Sequence, residues 1–163
     1  VLLLIGCMLV VMLVVNPLIS ACLLGVACRY DGRSCPKLPS PLSAEGITFI
    51  PVCPEILGGL PTPRLPAERQ GERVVRRDGA DVTAEYCRGA AETLRLARLY
   101  HCTAAVLKER SPSCGKGKIY DGSFSGVLTD GSGVTAQALS DAGIAVYGES
   151  ELPLLLAAAK AKK

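Results

Sequence analysis

The stretch LISAC at positions 18–22, running on as LLGVACRYDGRSC to position 35, decides how the rest of the chain is read. Leu18 to Cys22 is a short apolar run without an amphipathic period, as in a strand buried on both faces. Three similar runs follow, Ile47 to Val52, Thr103 to Leu107 and Ile144 to Tyr147. Strands separated by helices or long crossovers make a mostly parallel α/β sheet, here Rossmann-like and three-layered. Long Gly/Pro-rich loops then fall at the carboxyl ends of the strands, where open sheets of this kind bind their ligands.

The connections are read outward from those strands. Leu23 to Glu45 is rich in Gly, Pro and Ser and is expected to be a loop. PEILGGLPTPRLPAERQGER, with prolines at 54, 61, 63 and 66, is expected to be irregular. Arg73 to Arg76 reads as a short edge strand before an Asp78-Gly79 turn. Asp81 or Thr83 then caps a helix to about Tyr100, whose buried stripe is Tyr86, Ala90, Leu94 and Ala97. Cys87 and Cys102 are expected as small core residues. Ser111 to Gly133 is a glycine-rich loop, Thr135 to Ala142 a short helix stopped by Gly143, and ELPLLLAAAKAKK a helical tail ending in lysines. The organisation is thus an apolar extension (1–17), one domain (18–151) and a tail (152–163).

Composition narrows the function. The 163 residues are 49% hydrophobic, which excludes a disordered chain, and the formal net charge is +3 with no charged block. Five Tyr, two Phe and no Trp, without a basic stripe, argue against a nucleic-acid partner. The opening VLLLIGCMLVVMLVV is shorter than a spanning helix and lacks a basic flank and a cleavage site. Two readings stand: a start placed too early, with Met12 or Met8 the initiator, or a short anchor or leader. The first is preferred, and a cytoplasmic protein without a membrane partner is expected.

The eight cysteines carry the chemistry. So many aliphatic residues fold without disulfide staples, so a reducing compartment with thiols used for chemistry or metal is expected. Cys22 ends the first strand, Cys53 follows the second, and Cys114 lies in the loop past the third, so three distant thiols converge on one rim. No close C-x2–4-C pair announces structural zinc. A Cys22–Cys53 disulfide would leave Cys114 unpaired. A cluster held by three thiolates, a redox or nucleophilic thiol, and plain core cysteines all remain open on spacing alone.

The segments ISACLLGVACRYDG, PVCPEILGGLPTPR, LKERSPSCGKGKIYDGSFSG and GSGVTAQALSDAGIAVYGE together resemble the DUF 523 family over about Leu18 to Glu151. The characterised activity in that family is 2-thiouracil desulfidase, which removes sulfur from a thiolated pyrimidine without net redox change. The resemblance implies that Cys22, Cys53 and Cys114 ligate a 4Fe-4S cluster with one open iron, a Lewis acid toward sulfur. It nominates Glu55 and Ser111 as catalytic, Glu55 as the general base for water. Cys28 stands second to the three ligands and Cys35 third. The implied partner is a small thiolated base; rival readings are sulfur transfer to an acceptor such as RNA, and a metal-binding or redox-sensing module.

The remaining candidates have simpler readings beside the functional one. Glu55 also suits a helix cap before Ile56-Leu57, and Ser111 a turn before Pro112. Asp31 is a turn former that is also expected to bind substrate. Lys116, with Lys118, is expected to lend positive potential to substrate; the GKGK run lacks the spacing of a phosphate loop. Gly131, Gly133 and Thr135 open a helix whose amides suit either an anion or a plain helix start. His101 has no catalytic role.

Overall fold

The computed structural model describes residues 16–35 and 47–161. The 1–15 stretch with Cys7, Met8 and Met12, part of the first loop (36–46), and 162–163 lie outside the described residues. In chain order the elements are β1 (Leu18–Ser20), a 3-10 turn (Ala21–Leu24), β2 (Ile50–Val52), α1 (Pro54–Leu57), β3 (Ala67–Gln70) and β4 (Arg73–Arg76). They continue as α2 (Thr83–Leu99), β5 (Ala104–Leu107), β6 (Lys118–Tyr120), β7 (Leu128–Asp130), α3 (Val134–Asp141), β8 (Ala145–Gly148), a second 3-10 turn (Glu149–Glu151) and α4 (Leu152–Ala161).

β2, β1, β5 and β8 form one parallel sheet in that order. Leu18 lies between Ile50 and Ala105, and Ile19 between Pro51 and Val106. Alternate side chains go to opposite faces. Leu18, Ala105, Leu107 and Val146 join Ala97, Ala136 and Leu139 of α2 and α3 in one core. Ile19, Ala104 and Val106 join Leu152 and Leu155 of α4 and Cys22, Cys28 and Cys35 in the other. The three-layer α/β architecture is therefore as the apolar runs require.

The chain leaves β1 for β2 on one side, then crosses to β5 and β8 on the other. The order reverses between β1 and β5, and ligand crevices open at such switch points, beyond the carboxyl ends of the strands. There the Lys108 amide donates to Ser20 Oγ at 2.9 Å, joining the two strand ends.

α2 presents Tyr86, Ala90 and Ala97 to the interior, with Leu94 partly buried against the core. Neither Asp81 nor Thr83 is its N-cap: Val82 holds that position without a side-chain cap, while the Asp81 carboxylate accepts the Thr83 amide at 2.9 Å just before the helix. α1 crosses α2 glycine to glycine. A Cβ on Gly89 would stand 1.9 Å from the Pro54 carbonyl oxygen, and one on Gly58 2.0 Å from that of Glu85. Only hydrogen fits at either position, so the residues following Cys53 are pinned to α2.

Several expectations are corrected. The β1 strand stops at Ser20, because Ala21–Leu24 turn into a 3-10 helix closed by Gly25 at φ 91°; Cys22 stands in that turn. PEILGGLPTPRLPAERQGER is not irregular throughout: PEIL forms α1, and Ala67–Gln70 pairs antiparallel with Arg73–Arg76. Ser111 to Gly133 is not all loop, since Lys118–Tyr120 pairs with Leu128–Asp130. Cys102 is buried but Cys87 is exposed on α2. Among the described residues no helix is long and apolar enough to cross a membrane.

Candidate active site

A cavity of ≈ 630 Å³ opens where β1, β2 and β5 end. Cys22, Cys53 and Cys114 all line it, as do Glu55 and Ser111. Each thiol arrives on a short, fixed segment. Cys22 sits in the 3-10 turn after β1, and Cys53 precedes the first residue of α1. Cys114 is held by Ser111, whose Oγ accepts the amides of Ser113 and Cys114, both at 3.1 Å. The loop carrying it packs so closely on the start of α3 that a Cβ on Gly133 would meet the Ser113 carbonyl at 2.3–2.4 Å.

That contact settles the fate of the α3 amides. Val134, Thr135 and Ala136 donate to the carbonyls of Pro112 and Ser113, so the helix start seats the Cys114 loop rather than an anion. The Ser113 and Thr135 hydroxyls close the same contact at 3.0 Å, both fully buried.

Cys28 also lines the cavity, between two of the expected ligands. Contact with the Cys22 thiol, ahead of burial, raises its own to about 11, while Cys53 works in the opposite direction. Contact with Cys28, then burial, pushes the Cys53 thiol well above the ordinary range. Burial drives Cys114 up to about 12 against the Ser20 hydroxyl beside it. Crowded, buried thiols of this kind are neutral at physiological pH unless a metal takes the place of their protons.

Among the described residues no three His, Cys, Asp or Glu side chains come close enough to share one metal ion. Cys22, Cys28, Cys53 and Cys114 share one cavity, and the only histidine, His101, lies outside its lining. A soft, all-sulfur donor set on one cavity wall fits an iron–sulfur cluster.

Beside the thiols stands a carboxylate held on one oxygen. Arg64 Nε and Nη2 both donate to Glu55 Oε2, at 2.8 and 2.5 Å. The same guanidinium donates to the Cys28 carbonyl at 3.2 Å, the Pro61 carbonyl at 3.0 Å and Thr62 Oγ1 at 3.1 Å. Arg64 grips only the Oε2 oxygen of Glu55, and the Tyr86 phenol lies beside the same carboxylate. Tyr86, 2% exposed, lines the cavity next to Glu55. Its phenol is pushed far up by burial and then by the Glu55 charge.

The two residues expected to bind substrate, Asp31 and Lys116, are not among those that line the cavity. Asp31 forms ion pairs with Arg29 at 2.9 Å and Arg33 at 2.8 Å and is not among the cavity-lining residues. Lys116 pairs with Glu151 at 2.8 Å, over the Tyr147 ring, also away from the cavity wall. Both satisfy their charge locally. The sequence reading missed Arg64 as the partner of Glu55, and it assigned Tyr86 to packing alone. The available signal for Arg64 was a basic residue nine positions after Glu55 in a proline-bounded turn, where no helical or strand period could pair the two.

A family model described as 2-thiouracil desulfurase matches residues 18–151. The uncharacterized protein YbbK of Bacillus subtilis (strain 168) is 43% identical over 145 residues, covering 83% of this chain and 96% of that protein. The solved structure of TudS, a 4Fe-4S-dependent thiouracil desulfidase, is 50% identical with a TM-score of 0.83, covering 88% of this chain and 97% of the other. The family match, the sequence identities and the shared fold thus agree, and this chain belongs to the 2-thiouracil desulfurase family.

Proposed function

We propose that this protein is an iron–sulfur-dependent desulfidase that replaces the sulfur of a thiolated pyrimidine such as 2-thiouracil with oxygen. The observation that carries the reading is the meeting of three thiols from separate segments with a one-sidedly clamped carboxylate in a single cavity. Family membership and the likeness to TudS support the same chemistry.

Cys22, Cys53 and Cys114 are the residues that would hold the cluster. Bound through three thiolates, a 4Fe-4S cluster supplies an iron without a protein ligand, a Lewis acid with affinity for soft sulfur. The protein's own groups do the rest. Arg64 fixes Oε2 of Glu55, which leaves Oε1 to take a proton from a water aimed at the thiocarbonyl carbon. Ser111 Oγ accepts two amides, so its own hydrogen is directed away from them and is available to the substrate ring. Water adds its oxygen to the carbon, the carbon–sulfur bond breaks, and the two protons of water leave with the sulfur. Thiocarbonyl plus water gives carbonyl plus hydrogen sulfide, with no electron gained or lost, so the step is hydrolytic.

The test is anaerobic reconstitution with iron and sulfide, removal of the excess, and addition of 2-thiouracil. Uracil and sulfide are expected to appear in equal amounts over many turnovers. A loaded protein that binds 2-thiouracil and releases neither would contradict the reading and favour a sensing module.

A further inference from the structure

The cavity has a wall that the desulfuration chemistry does not use. It is built from the turn joining β6 to β7, where Phe124 stands at φ 57°. A bulky side chain in the left-handed region is an outlier, and such strain persists only where neighbours enforce it. The enforcement here is specific. Glu68 of β3, 8% exposed, places one oxygen, Oε2, on the amides of Gly122 at 3.0 Å and Phe124 at 2.9 Å. Gln70 Nε2 donates to the Gly122 carbonyl at 2.7 Å. Gly122, at φ 90°, lies so near β3 that a Cβ would stand 2.9 Å from the Arg69 carbonyl oxygen. A buried carboxylate is thus committed to a strained surface turn, and the result is one aromatic ring, half-buried, at the edge of the cavity.

The ring has a second neighbour. The Arg77 guanidinium lies 5.6 Å from its centroid and also lines the cavity. Among the described residues that guanidinium forms no ion pair and no hydrogen bond. A cation over the ring steadies it where it borders the cavity.

We infer that Phe124 is a specificity-determining residue, the platform on which a planar pyrimidine stacks while its thiocarbonyl faces the thiols. This rests on the proposed desulfidase reading and adds the ligand class: flat, unsaturated six-membered rings over puckered analogues with the same polar groups. Stacking of a base on an aromatic side chain is sequence-tolerant, because every base offers a π face. The wall therefore selects ring planarity, and discrimination between particular thiopyrimidines falls to other groups.

The test uses the full chain and two kinds of readout. Calorimetric titration of the loaded protein with uracil, which lacks the sulfur, reads ring binding without turnover; dihydrouracil is the puckered control. Phe124→Leu is expected to weaken uracil binding about tenfold and to erase the preference over dihydrouracil. KM for 2-thiouracil should rise by a similar factor with kcat and cluster absorbance within about twofold of wild type. Phe124→Tyr should restore binding, which a merely structural role for the position would not require of a ring. Uracil affinity and KM unchanged in Phe124→Leu would overturn the inference, as would equal binding of uracil and dihydrouracil by wild type. Failure of the desulfidase reading looks different: wild type would then bind the ring and release no sulfide.

Discussion

Replacing Arg64 by methionine removes the charge and all five side-chain donors while keeping the length of the stem. The guanidinium side chain is 5% exposed and its partner Glu55 14%, so the pair is nearly out of water. Deleting one member of a buried pair leaves the other charged and uncompensated, a loss of about 3–5 kcal/mol. An exposed pair would lose about 1 kcal/mol or less. Three further acceptors, the carbonyls of Cys28 and Pro61 and the Thr62 hydroxyl, lose a partner too. Against a domain stability of roughly 5–15 kcal/mol, Arg64→Met should be folded but much weakened. The assay is denaturant unfolding of the metal-free chain, with the midpoint falling and the slope retained. The double variant Glu55→Gln, Arg64→Met should lose less than the sum of the singles by about 1 kcal/mol or more, since the stranded charge is gone. Arg64→Lys keeps a charge but cannot grip one oxygen with two donors, so it should recover part of the stability and little of the sulfide release. A loss under about 1 kcal/mol in Arg64→Met, or strict additivity in the double variant, would refute the claim that this pair is buried and coupled.

Glu55→Gln should keep the visible absorbance of the reconstituted protein and lower sulfide release by about 10²–10⁴-fold; retained turnover would take the carboxylate out of the chemistry. Contact with Arg29, and then Arg33, holds the Asp31 carboxyl far below its usual range. Because the folded value is the lower one, its contribution is present above the unfolded value of about 3.9 and fades as pH falls toward the folded one. The stability gap between wild type and Asp31→Asn should thus be constant from neutral pH to about 5 and shrink below about 4, as read by unfolding at several pH values. Gly89→Ala forces a methyl onto the Pro54 carbonyl oxygen, 1.9 Å away. Thermal melting should show a loss of about 1–3 kcal/mol, and sulfide release should drop because α1 carries Glu55; an unchanged melting temperature would mean the helices do not cross there.

The parts of this fold that sequence alone could give are those whose signal is local. Leu18-Ile19 and AAVL are apolar and buried because both faces of β1 and β5 are covered. α2 is long enough for a 3.6-residue stripe to stand out. Once those strands are placed, Cys22, Cys53 and Cys114 follow them to one rim. The missed elements lack such a signal. PEIL is a single turn, too short to show a period. AERQ in β3 has no apolar alternation, because its inward residue is Glu68, buried to hold the Phe124 turn rather than to fill a core. β6 and β7 are three residues each, paired across seven others. Charges proved the least legible: Asp31 and Lys116 found partners close at hand, whereas Glu55 found Arg64 through a turn that no spacing rule anticipates.

The central claim is that positions 22, 53 and 114 act as one donor set. Its most direct measurement is iron and acid-labile sulfide per chain after anaerobic loading, in wild type and in single serine replacements. The account predicts a full cluster in wild type, loss of most iron on replacing Cys22, Cys53 or Cys114, and near-normal loading in Cys102→Ser, whose thiol does not line the cavity. Normal loading in any of the three ligand variants would contradict it.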